Sequence, residues 1–382
     1  MSSVLPAYDQ PQLHDSLRRV LPAALGWALA VVLLLVQLCS RNHIGSFSNW
    51  FVPDGITLAT TFREYWAGTL LGQDIAWGVP INYAYLPAVW LGVLGFVAVN
   101  IGLIVLAQRI SRLPMLPAML LLPYFLMTVA LPSKDILMLA ASYAVVHLAL
   151  ERRMLAAWIV TLVAFTIRDG ALPIFGGFLL LWTAYRRMPR TLPLLLFALI
   201  ASATLLDLVA QQLFGDLFIF ARNRSVFLSV ADQTRLDLFS RWGVPLRVFA
   251  NLTNMAMRPS IFDREGGIAL IGIAYFVSGI GLLYASYAAA VAIWRRLDEL
   301  QLAAALMFAV SLAVMAVSPL IQPRYLLPAA AMVISVTAAR RPGVSLGLLA
   351  SATALSVAGI LAYLLTQVGL PLPAEIEPWS PW

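Results

Sequence analysis

Long apolar segments run through most of this chain, and the short loops that separate them carry arginines in pairs or threes. Many of the segments are long enough to cross a bilayer as helices, and the chain is 61% hydrophobic with a mean hydropathy of +0.87. We therefore expect an all-α polytopic membrane protein, with residues 1–382 forming a single integral membrane domain.

The positions of the arginines predict which side each loop occupies. Thirteen of the 25 basic residues lie in the N-terminal tail and in loops near 109–112, 152–153, 186–190, 295–296 and 340–341. The one lysine, Lys134, falls outside these loops. Because short loops rich in arginine stay in the cytoplasm, the pattern predicts about eleven spans, with the N-terminus inside and the C-terminus outside. Residues 20–38 have span length, so we expect a retained first helix rather than a cleaved signal.

Three of the predicted spans, at 136–150, 154–167 and 326–339, are short. A helix of 14 residues rises about 21 Å, against about 30 Å of hydrocarbon. Their predicted outer ends carry Lys134 with Asp135, Arg168 with Asp169, and Arg324. Charges recessed at these ends must face a protein cavity or pair with one another, because contact with lipid is costly. The three cations predict a pocket for an anion within the membrane.

Two longer loops are predicted on the outer side, at about 39–85 and 211–265. The first is rich in aromatic residues, and its segment 55–71 has the apolar spacing of a helix that lies in the membrane interface. The second contains a series of arginines, among them Arg258 and Arg264. That series suits an anionic ligand, lipid headgroups or a solvated surface.

The sequence carries no motif for several functional classes. There is no cluster of His and Cys at metal-ligand spacing, no phosphate-binding glycine loop and no basic stripe in a soluble segment. We expect no cofactor and no nucleic-acid partner, and a carboxylate-bound divalent cation is the one metal that the sequence leaves open.

Five motifs resemble the outer-side motifs of GT-C membrane glycosyltransferases and of the related exopolysaccharide and O-antigen polymerases. The motifs begin with Pro-Asp-Gly at 53–55, which leads through an amphipathic segment to Gly72, and with Tyr-Ala-Tyr-Leu-Pro at 83–87. The others are Pro-Ser-Lys-Asp at 132–135, Ile-Arg-Asp at 167–169 and Gln-Pro-Arg-Tyr at 322–325. Gly55 stands where the family commonly has a second acid, which weakens any inference of a metal-bridging pair.

The resemblance implies a bacterial cytoplasmic membrane protein that acts on the outer face in cell-surface polysaccharide assembly. It would transfer a sugar or glycan from a polyprenyl phosphate or diphosphate donor to a glycan or lipid acceptor. Asp54 would be the catalytic base, with Asp74 as the second choice. The lipid phosphate would be bound by Lys134, Arg168 and Arg324. From the arginine series of the second loop, Arg258 and Arg264 are further candidates for that role. Asp135, Asp169 and Tyr325 would support them.

Each role has a structural alternative. Asp54 is also typical of a turn, Asp135 of a helix N-terminus, and Arg168 of an ion pair with Asp169 or Asp207. At the level of function, a repeat-unit polymerase, a transporter or flippase of lipid-linked glycans, and an assembly subunit without chemistry remain alternatives. A transporter would place its charges near the bilayer midplane between repeats.

Overall fold

The structure, a computed structural model, describes residues 61–62, 64–68, 81–129, 131–168, 170–214, 244–257, 270–317 and 323–340. These residues form helices and the turns between them, with no strand among them. The expectation of an all-helical chain is thus met over the part of the protein that the structure describes. The predicted first and last spans, at 20–38 and 344–365, lie outside the described residues.

Twelve α-helices can be numbered within the described ranges. The first six are α1 (Ala88–Leu91), α2 (Val93–Ser111), α3 (Leu116–Leu121), α4 (Tyr124–Met127), α5 (Lys134–Leu150) and α6 (Met154–Ile167). A π-helical turn, Leu172–Gly176, leads into α7 (Gly177–Arg187), and a 3-10 turn, Pro189–Thr191, leads into α8 (Leu192–Phe214). Then follow α9 (Val244–Met257), α10 (Leu270–Arg295), α11 (Glu299–Val317), the 3-10 turn Pro323–Leu326 and α12 (Leu327–Arg340).

Four helical stretches of the described chain are long and apolar enough to cross a membrane: Leu94–Ser111, Pro189–Leu206, Ala274–Arg295 and Glu299–Val317. Large apolar side chains of α2 and α8, including Leu94, Leu194 and Phe197, are exposed on the surface of the bundle. An apolar exterior of this kind is what contact with lipid requires. The chain therefore has the helices of a membrane protein, whereas the count of eleven and the orientation remain predictions.

Ion pairs bring several of the predicted inside loops together at one end of the bundle. Arg186 Nη2 lies 2.9 Å from Glu299 Oε2, and Arg340 Nε lies 2.9 Å from Asp298 Oδ2. These contacts join the end of α7 and the end of α12 to the start of α11. Three of the loops that the sequence assigns to the cytoplasmic side thus meet at one end.

The helices of the three short predicted spans are indeed short. Helix α5 has 17 residues, whereas α6 and α12 have 14 each. Helices α5 and α12 pack together in the core, where the Tyr143 hydroxyl donates a 2.8 Å hydrogen bond to Ser335 Oγ. The short lengths were visible in the sequence because charged residues bound each apolar segment on both sides.

Two segments differ from the sequence-based expectation. The apolar stretch 113–131 is not one continuous helix, because α3 ends before Pro123 and α4 begins after it. Proline lacks the amide hydrogen that a helix interior needs. The predicted outer loop 211–265 contains the helix α9, which packs against α10 and α11. The end of α3 also meets α10 closely, since a Cβ atom at Gly281 would overlap the Leu121 carbonyl oxygen.

Candidate functional site

Three helix ends carry the charged residues that the sequence singles out. Asp135 lies in the first turn of α5, whose N-cap residue Ser133 accepts a 3.2 Å hydrogen bond at Oγ from the Ile136 amide. Arg168 directly follows α6, and Arg324 lies in the 3-10 turn that precedes α12. Arg324 precedes α12 and Arg340 ends it, so the Arg324 turn and the Arg340–Asp298 ion pair lie at opposite ends of this helix.

Asp135 and Arg168 form a buried ion pair. Arg168 Nη1 donates to Asp135 Oδ1 at 2.5 Å, and the Tyr124 hydroxyl donates to Asp135 Oδ2 at 2.6 Å. The side chains of Arg168 and Asp135 are only 11% and 9% exposed. A carboxylate that is shielded from water needs both a counter-charge and hydrogen bonds, and here each carboxylate oxygen accepts a hydrogen bond. Asp135 is therefore fully engaged in holding Arg168.

The ring of Tyr325 brings the two arginines close to each other. The Arg168 guanidinium carbon lies 3.9 Å from the centre of the ring, and that of Arg324 lies 5.4 Å from the same centre. Guanidinium groups are attracted to the face of an aromatic ring, and this attraction is stronger where water is excluded. Both cations thus lie near the same aromatic ring.

Three cations belong to this end of the bundle. Lys134 lies in the first turn of α5, Arg168 follows α6 and pairs with Asp135, and Arg324 precedes α12. Arginine is always protonated in proteins, and its planar fork matches the oxygens of a phosphate. The arrangement is chemically suited to binding a phosphate or another anion.

A hydrogen-bond network ties the end of the first predicted outer loop to the start of α5. The Tyr85 hydroxyl donates to Asn100 Oδ1 at 2.6 Å and accepts from the Ser133 amide at 2.9 Å. Asn100 Nδ2 in turn donates to the carbonyls of Val129 and Leu131, at 2.7 and 2.8 Å. These bonds satisfy backbone groups in the non-helical stretch between α4 and α5, and so fix the turn that presents Asp135.

Aromatic residues of the first loop pack beside the charged cluster. Residues 61–62 and 64–66 are helical, as the predicted interfacial helix requires, and Phe62 is buried. Phe62 and Trp66 belong to an apolar cluster that also contacts Leu137 and Ile167. Since Leu137 and Ile167 lie within two residues of Asp135 and Arg168, the loop lies next to the charged site. The Tyr83 side chain hydrogen-bonds Tyr65 and raises the pKa of its hydroxyl above the ordinary value.

Arg247, from the arginine-rich second loop, is buried rather than solvated. It lies on α9, and its Nη1 donates to the carbonyls of Ala316 and Val317 at 3.1 and 3.0 Å. These carbonyls end α11, where positive charge is favoured by the helix dipole. Arg247 therefore binds the end of α11 just before the segment that leads to Arg324. Helical spacing in 244–257 was the signal that could have shown this helix in the sequence.

The structure brings together four of the predicted site residues: Asp135, Arg168, Arg324 and Tyr325. Lys134 adjoins Asp135 at the start of α5. The remaining predicted residues, Asp54, Asp74, Asp169, Arg258 and Arg264, lie outside the described residues. Sequence reasoning weighed Asp169 and Asp207 as partners of Arg168, whereas the partner observed is Asp135. It missed Tyr124 altogether.

Within the described part of the chain, no group of three or more His, Cys, Asp or Glu side chains is arranged to hold a metal ion. The Asp135 carboxylate is committed to Arg168 and Tyr124.

No protein-family model, curated protein or solved structure matches this chain.

Proposed function

We propose that this protein is a membrane glycosyltransferase that takes a sugar or glycan from a polyprenyl phosphate or diphosphate donor. The observation that carries the proposal is the pair of arginines on Tyr325, with Asp135 fixing one of them at the end of the bundle. A phosphate that is attached to a lipid must be bound close to the membrane. Cations held at the ends of apolar helices meet that requirement.

The reaction needs a base and a group that stabilises the leaving phosphate. The acceptor hydroxyl attacks the anomeric carbon, the bond from that carbon to the phosphate oxygen breaks, and its electron pair stays on the lipid phosphate. Asp54 takes the hydroxyl proton, with Asp74 as the second choice. Arg168, Arg324 and Lys134 stabilise the charge that grows on the phosphate, and Arg258 and Arg264 extend that set.

Asp135 does not serve as the base in this proposal. Both of its oxygens already accept hydrogen bonds, from Arg168 and from Tyr124. Its role is to hold the Arg168 guanidinium at a fixed angle while Tyr325 covers one face of it. Fixed cations stabilise a transition state better than mobile ones, because they need no reorganisation during the reaction.

The position of the charges favours transfer over transport. The Asp135 cluster lies at one end of the bundle, and the ion pairs of Arg186 and Arg340 link helices at the other end. A transporter concentrates its binding charges near the midplane. We place the site on the outer face of the bacterial cytoplasmic membrane, with the N-terminus inside and the C-terminus outside. A repeat-unit polymerase would use the same chemistry with a longer acceptor.

A reconstituted assay separates transfer from transport. Purified protein in vesicles is given a polyprenyl-linked donor with a radiolabelled sugar, in phosphate and diphosphate forms, and a mixture of lipid and glycan acceptors. We expect label in a new glycan product and no increase in donor movement between leaflets. Donor movement without product would contradict the enzyme and support a flippase.

Complementation in cells tests the proposed base. We expect a deletion strain to lose a cell-surface glycan, and the wild-type gene to restore it. Asp54→Asn should fail to restore the glycan, because the amide cannot accept the proton, whereas Asp74→Asn should succeed. Restoration by Asp54→Asn at wild-type protein levels would remove Asp54 from the mechanism, and failure by Asp74→Asn alone would transfer the role to Asp74.

A further inference from the structure

Helix α6 is short for a helix that faces lipid. Its 14 residues rise about 21 Å, roughly 9 Å less than the hydrocarbon thickness of a typical bilayer. Charged residues bound it at both ends, since Arg153 is its N-cap residue and Arg168 its C-cap residue. The apolar stretch therefore cannot be extended in either direction.

An exposed apolar stripe runs along the whole of α6. Leu155, Ile159, Leu162 and Val163 are each more than half exposed, and they are spaced three or four residues apart or adjacent. The stripe continues to Thr166, which is also exposed. Residues at this spacing lie on one face of a helix, so this face meets lipid from one end of α6 to the other.

Two other helices with exposed apolar side chains are longer. Helix α2 has 19 residues and α8 has 23, or about 28 and 35 Å, and large apolar side chains are exposed along α2 and on the first part of α8. Of these three helices, α6 is therefore the one that is clearly too short for the bilayer.

The two ends of α6 can respond differently to this mismatch. A short span is accommodated by thinning of the bilayer or by charged side chains that extend to the interface, whereas tilting would only shorten it further. Arg153 is largely exposed and can extend. Arg168 cannot, because Asp135 and the Tyr325 ring hold its guanidinium in place. Bilayer thinning is the response that remains on the Arg168 side.

We propose that the exposed face of α6 thins the adjacent bilayer on the Arg168 side and brings the phosphates of membrane lipids to the level of Arg168 and Arg324. This face is then the route by which a lipid phosphate reaches the cation cluster from within the membrane. The inference does not depend on sugar transfer, since it follows from the length, exposure and fixed charge of α6.

Depth measurements on paired spin labels test the inference. In a Cys39→Ser background, single cysteines are introduced by Leu155→Cys and Thr166→Cys, which lie 11 positions apart near the two ends of α6. Leu94→Cys and Val105→Cys give a matched pair at the same separation on α2. All four side chains are exposed, so the substitutions leave the core intact. The labelled proteins are reconstituted in dioleoylphosphatidylcholine, and depth is read from collisions with oxygen and with a water-soluble nickel complex.

We expect the label at 166 to lie at headgroup level, with the nickel complex colliding more often than oxygen. On α2, the label at 105 should lie in the hydrocarbon, because it is about 9 Å from the end of that helix. A label at 166 that lies as deep as the one at 105 would show an unthinned bilayer and overturn the inference. Equal headgroup-level readings at all four positions would show that thinning is not specific to α6, and would overturn it as well.

Discussion

Replacing Asp135 with alanine should lower the free energy of unfolding by about 3–5 kcal/mol, since it leaves the buried Arg168 guanidinium without its counter-charge. The Tyr124 hydroxyl would lose its acceptor at the same time. A buried ion pair can contribute little net stability, yet removing one partner is costly because the other charge remains in a dry place. The measurement is reversible unfolding in mixed detergent micelles, followed by tryptophan fluorescence.

Two further variants make this result specific. Glu151 lies at the opposite end of α5 and its side chain is 44% exposed, so Glu151→Ala should change the free energy of unfolding by at most about 1 kcal/mol. Replacing the pair together, as Asp135→Leu with Arg168→Met, should recover most of the loss, because neither charge is then left buried. Equal small effects of Asp135→Ala and Glu151→Ala would contradict the buried pair.

The sequence predicted those features that depend on local patterns. Short apolar segments bounded by charge gave the lengths of α5, α6 and α12, and the resemblance at 322–325 pointed to Arg324 and Tyr325. The sequence also predicted that Arg324 and Tyr325 lie near Arg168, because it places the charged ends of the three short helices on the same side of the membrane. That side was predicted from the arginine-rich loops. Two of these loops, around Arg186 and Arg340, form ion pairs with Glu299 and Asp298 at one end of the bundle.

What the sequence could not predict depends on contacts between distant residues. Asp135 and Arg168 are 33 positions apart, and nothing local favoured that pairing over Asp169 or Asp207. Tyr124 begins α4 directly after the helix break at Pro123, and its hydroxyl reaches Asp135 across 11 positions of the chain. Arg247 looked like one of many loop arginines, and its burial follows from the packing of α9 on α11.

The second large effect concerns the proposed donor phosphate. Arg324→Ala should lower kcat/KM for sugar transfer by about 10²–10³-fold, the typical effect of removing one fixed group that stabilises charge in the transition state. Arg324→Lys should retain part of the activity, because it keeps the charge and loses the planar fork. Unchanged unfolding of both variants would show that the loss lies in the reaction and not in the fold.

The most direct test of the central claim, that the cation cluster holds the donor phosphate, is kcat/KM for transfer from a polyprenyl-linked donor in Arg324→Ala and Arg340→Ala. Arg324 precedes α12, whereas Arg340 ends it and pairs with Asp298 at the other end of the helix. We predict a loss of about 10²–10³-fold for Arg324→Ala and less than about twofold for Arg340→Ala. Equal values for the two variants, with the wild type active, would contradict the claim.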